Sequence, residues 1–251
     1  AVTGTGPEMS SHPNLTQHLV ASLNSLCGRV YRAGETIPNP GVLSPPSTRF
    51  AQPIEMPLAW DGGAVSRIDP QFGELTAMGI MGASREMPTN LLADEILLPG
   101  DGQVRALIVV GGNPLAAWPN HKKTYEALKS LDLLVCVDPY LSATSKLADY
   151  IIAPKLSLER ADVTLLADPF YEEPYSQYTD AVVDSGFDII EEWELYWGIA
   201  RELKIELVIG GKAVSHEPKP SKFEILELIT AGSKVPLAWL RDNPGGHRFP
   251  E

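Results

Sequence analysis

The chain is poor in cysteine, has no basic cluster and no long apolar run, and each shortage excludes a class of protein. Its 251 residues hold only Cys27 and Cys136. Two isolated cysteines cannot build the usual Cys/His zinc site or hold an iron–sulfur cluster alone. Both lie in apolar patterns and read as buried free thiols, in keeping with a reducing compartment. Lys and Arg number 20 against 32 Asp and Glu, a formal charge of −12, with no Lys/Arg run. That balance argues against nucleic acid or an anionic membrane surface as partner. No apolar stretch approaches the ~20 residues that span a bilayer, so no membrane insertion is expected. The start, AVTGTGPEMSSH, lacks the charged and apolar parts of a secretory signal, and the expected location is cytoplasmic. His12, His18, His121, His216 and His247 show no metal-ligand spacing. Neither a phosphate-binding Gly-x-x-x-x-Gly-Lys loop nor a Gly-x-Ser-x-Gly elbow occurs.

Glycine and proline, by contrast, are abundant at 21 and 22 residues, above their usual combined share of roughly an eighth. Hydrophobic residues still make up 44%, enough for a core. Leu15, Leu19, Leu23 and Leu26 recur at helical spacing and predict a helix over 14–27, with Asn14 as cap and Gly28 as stop. Seven prolines between 38 and 70 exclude a central strand or long helix and predict an extended wrap over 36–75. A short helix is expected over 90–97, capped by Thr89.

The most ordered pattern spans 104–154. Val104–Val110, Leu133–Val137 and Tyr150–Ala153 read as buried strands, alternating with helices over 121–130 and 142–148. Strand, helix, strand, helix, strand in this length predicts a parallel sheet, and the continuous apolar strands fit one covered on both faces. Further on, 188–203 has an amphipathic pattern in which Trp193 and Trp197 read as core. The acids Glu191 and Glu192 read as a solvated face. Ser221-Lys-Phe-Glu224 is a capping box opening a helix through Thr230.

Two strand ends are candidates for chemistry. Gly111-Gly112-Asn113-Pro114 follows the first strand, where open α/β sheets bind ligands and glycine lets amides approach a phosphate. Asp138 ends the second strand, where a carboxylate can accept from guanine or a ribose. An ordinary turn at the glycines and an Asx turn at Asp138 are the alternatives. Gly4-Thr5-Gly6 superficially resembles a dinucleotide fingerprint, but Met9 stands where its third glycine belongs, which argues against a conventional NAD site.

Read together, "ALIVVGGNPLAAWPN", "ALKSLDLLVCVDPYLSATSKLADYIIAP", the opening "GTGPEMSSHPNLTQHLVASLNSLCGRVYRAGE" and the later "EEWELYWGIARELKI" and "LRDNPGGHRFPE" resemble the molybdopterin oxidoreductases of the dimethyl sulfoxide reductase and formate dehydrogenase class. The resemblance implies an α/β fold: a Rossmann-like parallel sheet with flanking helices, an irregular Pro-rich wrap, and part of an adjacent α/β domain. It implies a dinucleotide-binding domain over 1–155, with 36–100 irregular, and a return segment over 156–251. The implied cofactor is molybdopterin guanine dinucleotide with molybdenum or tungsten. Thr5, Gly6, Met9, Gly112, Asn113, Asp138 and Arg160 are its implied contacts, with Asp138 on guanine. Glu159-Arg160-Ala161-Asp162 departs from the family's Glu-x-x-Gly, and Ser142-x-Thr144 from its commoner Thr-x-Thr. The family's iron–sulfur cysteines and metal ligand are missing from this sequence. A piece of a longer polypeptide is therefore expected, partnered by the remainder of that polypeptide and by an electron-transfer subunit. A non-catalytic α/β interaction module and the nucleotide domain of another cofactor enzyme are the competing readings.

Overall fold

Pro13 opens a helix that the leucine spacing then carries to Leu26. A computed structural model describes residues 1–8, 10–38, 41–51, 89–168, 171 and 173–249. Most of the expected wrap, and Met9, lie outside the described residues. The chain divides into two compact units, Ala1–Pro40 with Pro46–Glu55, and Gly41–Pro45 with Met56–Glu251.

In the first unit, α1 (Thr5–Glu8) precedes α2 (Pro13–Leu26), and β1 (Thr36–Ile37) pairs antiparallel with β2 (Arg49–Phe50). Proline fits the first helical position because its missing amide donor has no partner there in any helix. The cap position is therefore His12 and not Asn14, and no side chain caps the helix. Gly28 follows in the left-handed region, φ +65°. The leucine stripe is helical but open: no residue described in α2 is buried, and Leu26 is 88% exposed. Cys27 is exposed as well, which corrects the reading of two buried thiols; Cys136 is the buried one.

The first helix described in the second unit is α3 (Thr89–Leu97), in which Thr89 is the first helical residue and not the cap. Next come β3 (Ala106–Val110), α4 (Pro114–Ala117), α5 (His121–Ser130), β4 (Leu133–Val137), a 3-10 turn (Ser145–Leu147) and β5 (Tyr150–Ile152). The three strands form a parallel sheet in the order β3-β4-β5. Val109, Leu134 and Cys136 pack with Ala93 and Ile96 of α3 and with Ala127 and Leu128 of α5. Each large aliphatic side chain buried there contributes ~1.5–3 kcal/mol. The other face is less covered than the apolar runs suggest, since Ile108 and Val110 remain 38% and 43% exposed. The helix expected over 142–148 is only the 3-10 turn. Ser142 Oγ accepts from Ser145 N at 3.1 Å, and Ser145 Oγ donates to Ser142 O at 3.0 Å. Such local side-chain bonds compete with helical pairing.

Beyond Pro154 the strands are two residues each. β6 (Asp162–Val163) pairs with β8 (Tyr178–Thr179), and β7 (Tyr175–Ser176) with β11 (His247–Arg248). The amphipathic segment is α6 (Glu192–Leu203), shorter than 188–203 because Glu191 caps it in a capping box with Glu194. A hairpin of β9 (Val208–Ile209) and β10 (Lys212–Ala213) follows, then α7 (Lys222–Ile229), with the predicted Ser221–Glu224 capping box, and α8 (Leu237–Asp242). Trp197, Val214 and Ile225 form one small core, with Trp193 against it. Leu43, Tyr178, Leu226, Leu237 and Leu240 form another. Glu191 is not solvated: it is 6% exposed, accepts from Trp193 Nε1 at 3.1 Å and pairs with Lys222 Nζ at 2.8 Å.

Candidate functional site

The parallel register sets the candidate residues abreast. Val110 pairs with Val137, and Val137 with Ile152. The ladder runs one residue further, with Gly111 N donating to Val137 O at 2.9 Å and Asp138 N to Ile152 O at 3.1 Å. Gly111 and Asp138 therefore leave neighbouring strands at one level, a strand spacing of about 4.8 Å apart.

The two glycines differ. Gly111 has φ +61°, which a side chain tolerates poorly, so the turn itself requires it. Gly112 has no such constraint: an added Cβ would lie 3.6 Å from Val109 Cγ1, an ordinary contact. Nothing described in this chain demands glycine at 112, which leaves its backbone open to close approach by a ligand. Asp138 makes the Asx turn, accepting from Tyr140 N at 2.8 Å through Oδ1. That satisfies one oxygen; the other has no partner among the described residues. The Asx turn and a ligand contact are thus compatible. The negative charge of Asp138 is felt next door: burial, and then the Asp138 carboxylate, push the Cys136 thiol above its ordinary value. Cys136 is held as an unreactive thiol.

Asn113 does not use its side chain as a helix cap, although it stands at the cap position of α4. Its Oδ1 instead accepts from Thr144 N at 3.2 Å and Thr144 Oγ1 at 2.8 Å. Thr144 Oγ1 in turn accepts from Leu115 N at 3.0 Å. The loops after β3 and β4 are tied together at Thr144, a fully buried residue. The Ser142-x-Thr144 pattern was the sequence signal for it, but spacing alone does not reveal a bond 31 residues away. An open cleft of about 570 Å³ adjoins this tie, lined by Leu115, Ala116, His121, Lys122, Tyr125 and Ala143 among others.

Gly112, Asn113 and Asp138 are thus brought to one sheet edge. Arg160 is elsewhere in the same unit, where Nη1 donates to Glu192 Oε2 at 2.6 Å and Nη2 lies 3.6 Å from Asp162 Oδ2. Its Nε is buried with no partner among the described residues. Thr5 and Gly6 lie in α1 of the first unit; a Cβ on Gly6 would meet nothing within 4 Å. Among the described residues no three His, Cys, Asp or Glu side chains gather to hold a metal ion, and no helix is long and apolar enough to cross a membrane.

The sequence profile of the family described as molybdopterin oxidoreductase matches residues 2–202. The chain belongs to this family. A probable oxidoreductase, YyaE, of Bacillus subtilis is 28% identical over 123 residues, 47% of this chain and 18% of that protein. The alpha subunit of F420-dependent formate dehydrogenase 1 of Methanococcus maripaludis is 30% identical over 109 residues, 43% of this chain and 15% of its own length. The solved acetylene hydratase from Pelobacter acetylenicus superposes with a TM-score of 0.53 over 67% of this chain and 21% of its own, at 19% identity, a likeness of fold. The chain spans under a quarter of the length of each. The family implies a molybdenum or tungsten pterin cofactor. The strand edge can meet the polar part of such a group, with open backbone at Gly112 and a carboxylate oxygen at Asp138 that has no partner among the described residues. Arg160, already paired with acids, fits less well.

Proposed function

We propose that this chain is the cofactor-binding portion of a molybdenum or tungsten oxidoreductase, and that the group it holds is a molybdopterin guanine dinucleotide. The observation that carries this reading is the alignment of the Gly111-Gly112-Asn113 turn with Asp138 at the carboxyl edge of one parallel sheet. Ligands of open α/β sheets bind at this edge. When bound, the metal–pterin group supplies two-electron redox chemistry, and the protein supplies placement and tuning.

This chain's own residues do the placing. The free oxygen of Asp138 accepts from the guanine amide and amine. The Gly112 backbone admits a phosphate at close range. Asn113, held by Thr144, is a further contact. Thr5, Gly6 and Met9 serve the pterin or phosphate side, and Arg160 gives a basic contact once released from Glu192. The iron–sulfur cluster, the metal ligand and the residues that close over the cofactor come from the remainder of a longer cytoplasmic polypeptide, which passes electrons to a partner subunit. Support comes from the family match and from relatives named as formate dehydrogenase and acetylene hydratase. Those two names describe different substrates, so no substrate is carried over.

The test is elemental analysis of the full-length natural protein, together with the fluorescence of its oxidised pterin and the release of guanosine monophosphate on acid treatment. Stoichiometric metal, pterin and guanosine monophosphate are expected. Absence of metal and pterin defeats the reading, and pterin without guanine confines it to a simpler cofactor.

A further inference from the structure

We infer that Thr144 is a positioning residue that turns the Asn113 carboxamide so that only its NH2 group faces the ligand, which makes this point of the sheet edge selective for a hydrogen-bond acceptor. The inference rests on the sheet edge being a dinucleotide site.

An asparagine at a helix cap ordinarily accepts an amide from the first turn of its own helix. Asn113 does not. The second amide of α4, Leu115 N, is satisfied from 29 residues away by Thr144 Oγ1 at 3.0 Å. Thr144 has taken over the capping task, and the Asn113 side chain is released from it. The released carboxamide has only one orientation. Thr144 N is a fixed backbone donor 3.2 Å from it, and a donor must meet oxygen. With its own oxygen already accepting from Leu115 N, the Thr144 hydroxyl sends its proton to the same Asn113 Oδ1 at 2.8 Å. A flipped amide would set NH2 against the Thr144 amide and leave a buried donor unpaired, at about 1–3 kcal/mol. Oδ1 is thus consumed inside the protein. Nδ2 makes no hydrogen bond among the described residues, and Asn113 is half-buried beside Gly112.

The consequence is chemical. Asn113 offers donors and no acceptor. It pairs with a phosphoryl or carbonyl oxygen and rejects a group that can only donate, such as an ammonium or an amide N–H. Asp138, at the end of the neighbouring strand, offers an acceptor and no donor when ionised. The sheet edge therefore presents complementary polarity, a donor at 113 and an acceptor at 138.

The probe is guanosine 5′-diphosphate, titrated into the 251-residue chain while the Asn113 side-chain amide is followed by NMR. In the ligand-free chain the two Nδ2 protons should give distinct, dispersed signals in wild type and in Thr144→Ser. In Thr144→Val the residue 144 amide remains while the hydroxyl bond to Asn113 Oδ1 is lost, so the signals should move part-way toward those of a solvent-exposed asparagine. The diphosphate should shift these signals in wild type and Thr144→Ser. Its affinity should fall about tenfold in Asn113→Asp, the loss of one aligned donor, and by less in Thr144→Val, where the residue 144 amide still meets Asn113 Oδ1. Signals in Thr144→Val that coincide with those of wild type, or unchanged affinity in Asn113→Asp, overturn the inference. If the diphosphate does not bind wild type while the ligand-free signals behave as stated, the positioning by Thr144 stands and the guanine dinucleotide reading of this edge fails. If Thr144→Val does not fold, Thr144→Ala, which also lacks the hydroxyl, carries the same expectations and decides.

Discussion

The buried carboxylate of Asp168 accepts the backbone amide of Leu43 at 2.6 Å, across 125 residues of sequence, and the same oxygen accepts from Val42. Lys234 N completes the seat by donating to Val42 O at 2.9 Å. The short segment Gly41–Pro45 is thereby fixed in the second unit, with Leu43 inserted beside Tyr178 and Leu240. The other Asp168 oxygen is buried without a partner among the described residues. Burial raises the Asp168 pKa above its ordinary value, against the lowering pull of the two amides and of Lys234. Asp168→Ala should leave two buried amides unsatisfied and cost about 2–4 kcal/mol. Asp168→Asn keeps an acceptor oxygen and removes the buried charge, so it should cost at least ~1 kcal/mol less. A raised carboxyl favours folding most when protonated. Its contribution is full below the ordinary value of 3.8 and is lost as pH rises through the raised one. Urea titrations from pH 3 to 7 should show wild type losing ground to Asp168→Asn as pH rises; parallel curves would refute the assignment.

Glu194 behaves in the opposite sense. Burial raises its pKa, but the hydrogen bond from Lys219, the Glu191 amide and the charges of Lys219 and Lys155 outweigh this and bring it below 4.5. The stability it contributes is present above 4.5 and lost as pH falls through the lower folded value. Because Glu194 is also the third residue of the α6 capping box, Glu194→Ala should cost about 1 kcal/mol at neutral pH and less in acid. Denaturant midpoints at pH 7 and pH 3 check this; an equal loss at both pH values contradicts the charge argument.

How much of this was readable beforehand depends on the range of the forces involved. The sheet was legible because each strand is a continuous apolar run of local origin, and β4 has the limits that Leu133–Val137 predicts. The Ser221–Glu224 capping box was legible because both of its bonds span three residues. The 142–148 segment reads as helix by apolar spacing, yet Ser142 and Ser145 divert the backbone. Glu191 reads as solvated because Lys222, its partner, is 31 residues away and on another helix. At the site, Gly112, Asn113 and Asp138 follow from the rule that strand ends bind ligands. Thr144 does not, since its role exists only through contacts with Asn113 and Leu115. Of the acids that hold Arg160, Asp162 stands in its local motif, whereas Glu192, 32 residues on, was invisible to it.

The β9–β10 hairpin supplies a paired test of backbone constraint. Its turn is Gly210-Gly211, with φ +58° and +75°, the mirror-image geometry that suits a two-residue hairpin. A Cβ at 211 would meet nothing within 4 Å, whereas one at 210 would fall against the Leu228 carbonyl of α7. Gly211→Ala should therefore cost only the left-handed penalty of about 1–2 kcal/mol. Gly210→Ala adds overpacking against backbone, for a total of roughly 2–5 kcal/mol. Thermal unfolding of the two variants checks the order. Equal losses would mean that Leu228 does not press on the turn.

Asp138 allows stability and binding to be separated at one residue. Its backbone amide, bonded to Ile152 O, is untouched by any side-chain change. The side chain contributes one exposed Asx turn to Tyr140, whose loss in Asp138→Ala should cost about 0.5–1.5 kcal/mol. Its second oxygen does nothing for the fold, and the proposed function assigns it to guanine. Asp138→Asn keeps the turn acceptor but puts a donor in place of the second oxygen, facing the guanine amide and amine. Asn should thus preserve stability better than Ala while binding guanine no better. In the full-length protein, both variants should retain less than about a tenth of the wild-type guanosine monophosphate released on acid treatment, the effect of losing a charge-assisted pair of hydrogen bonds. Cys136 gives an internal check that the charge has gone, because its thiol pKa should fall when Asp138 is neutralised. Undiminished guanine release in variants that pass this check would take Asp138 out of the cofactor site and leave it as a turn residue alone.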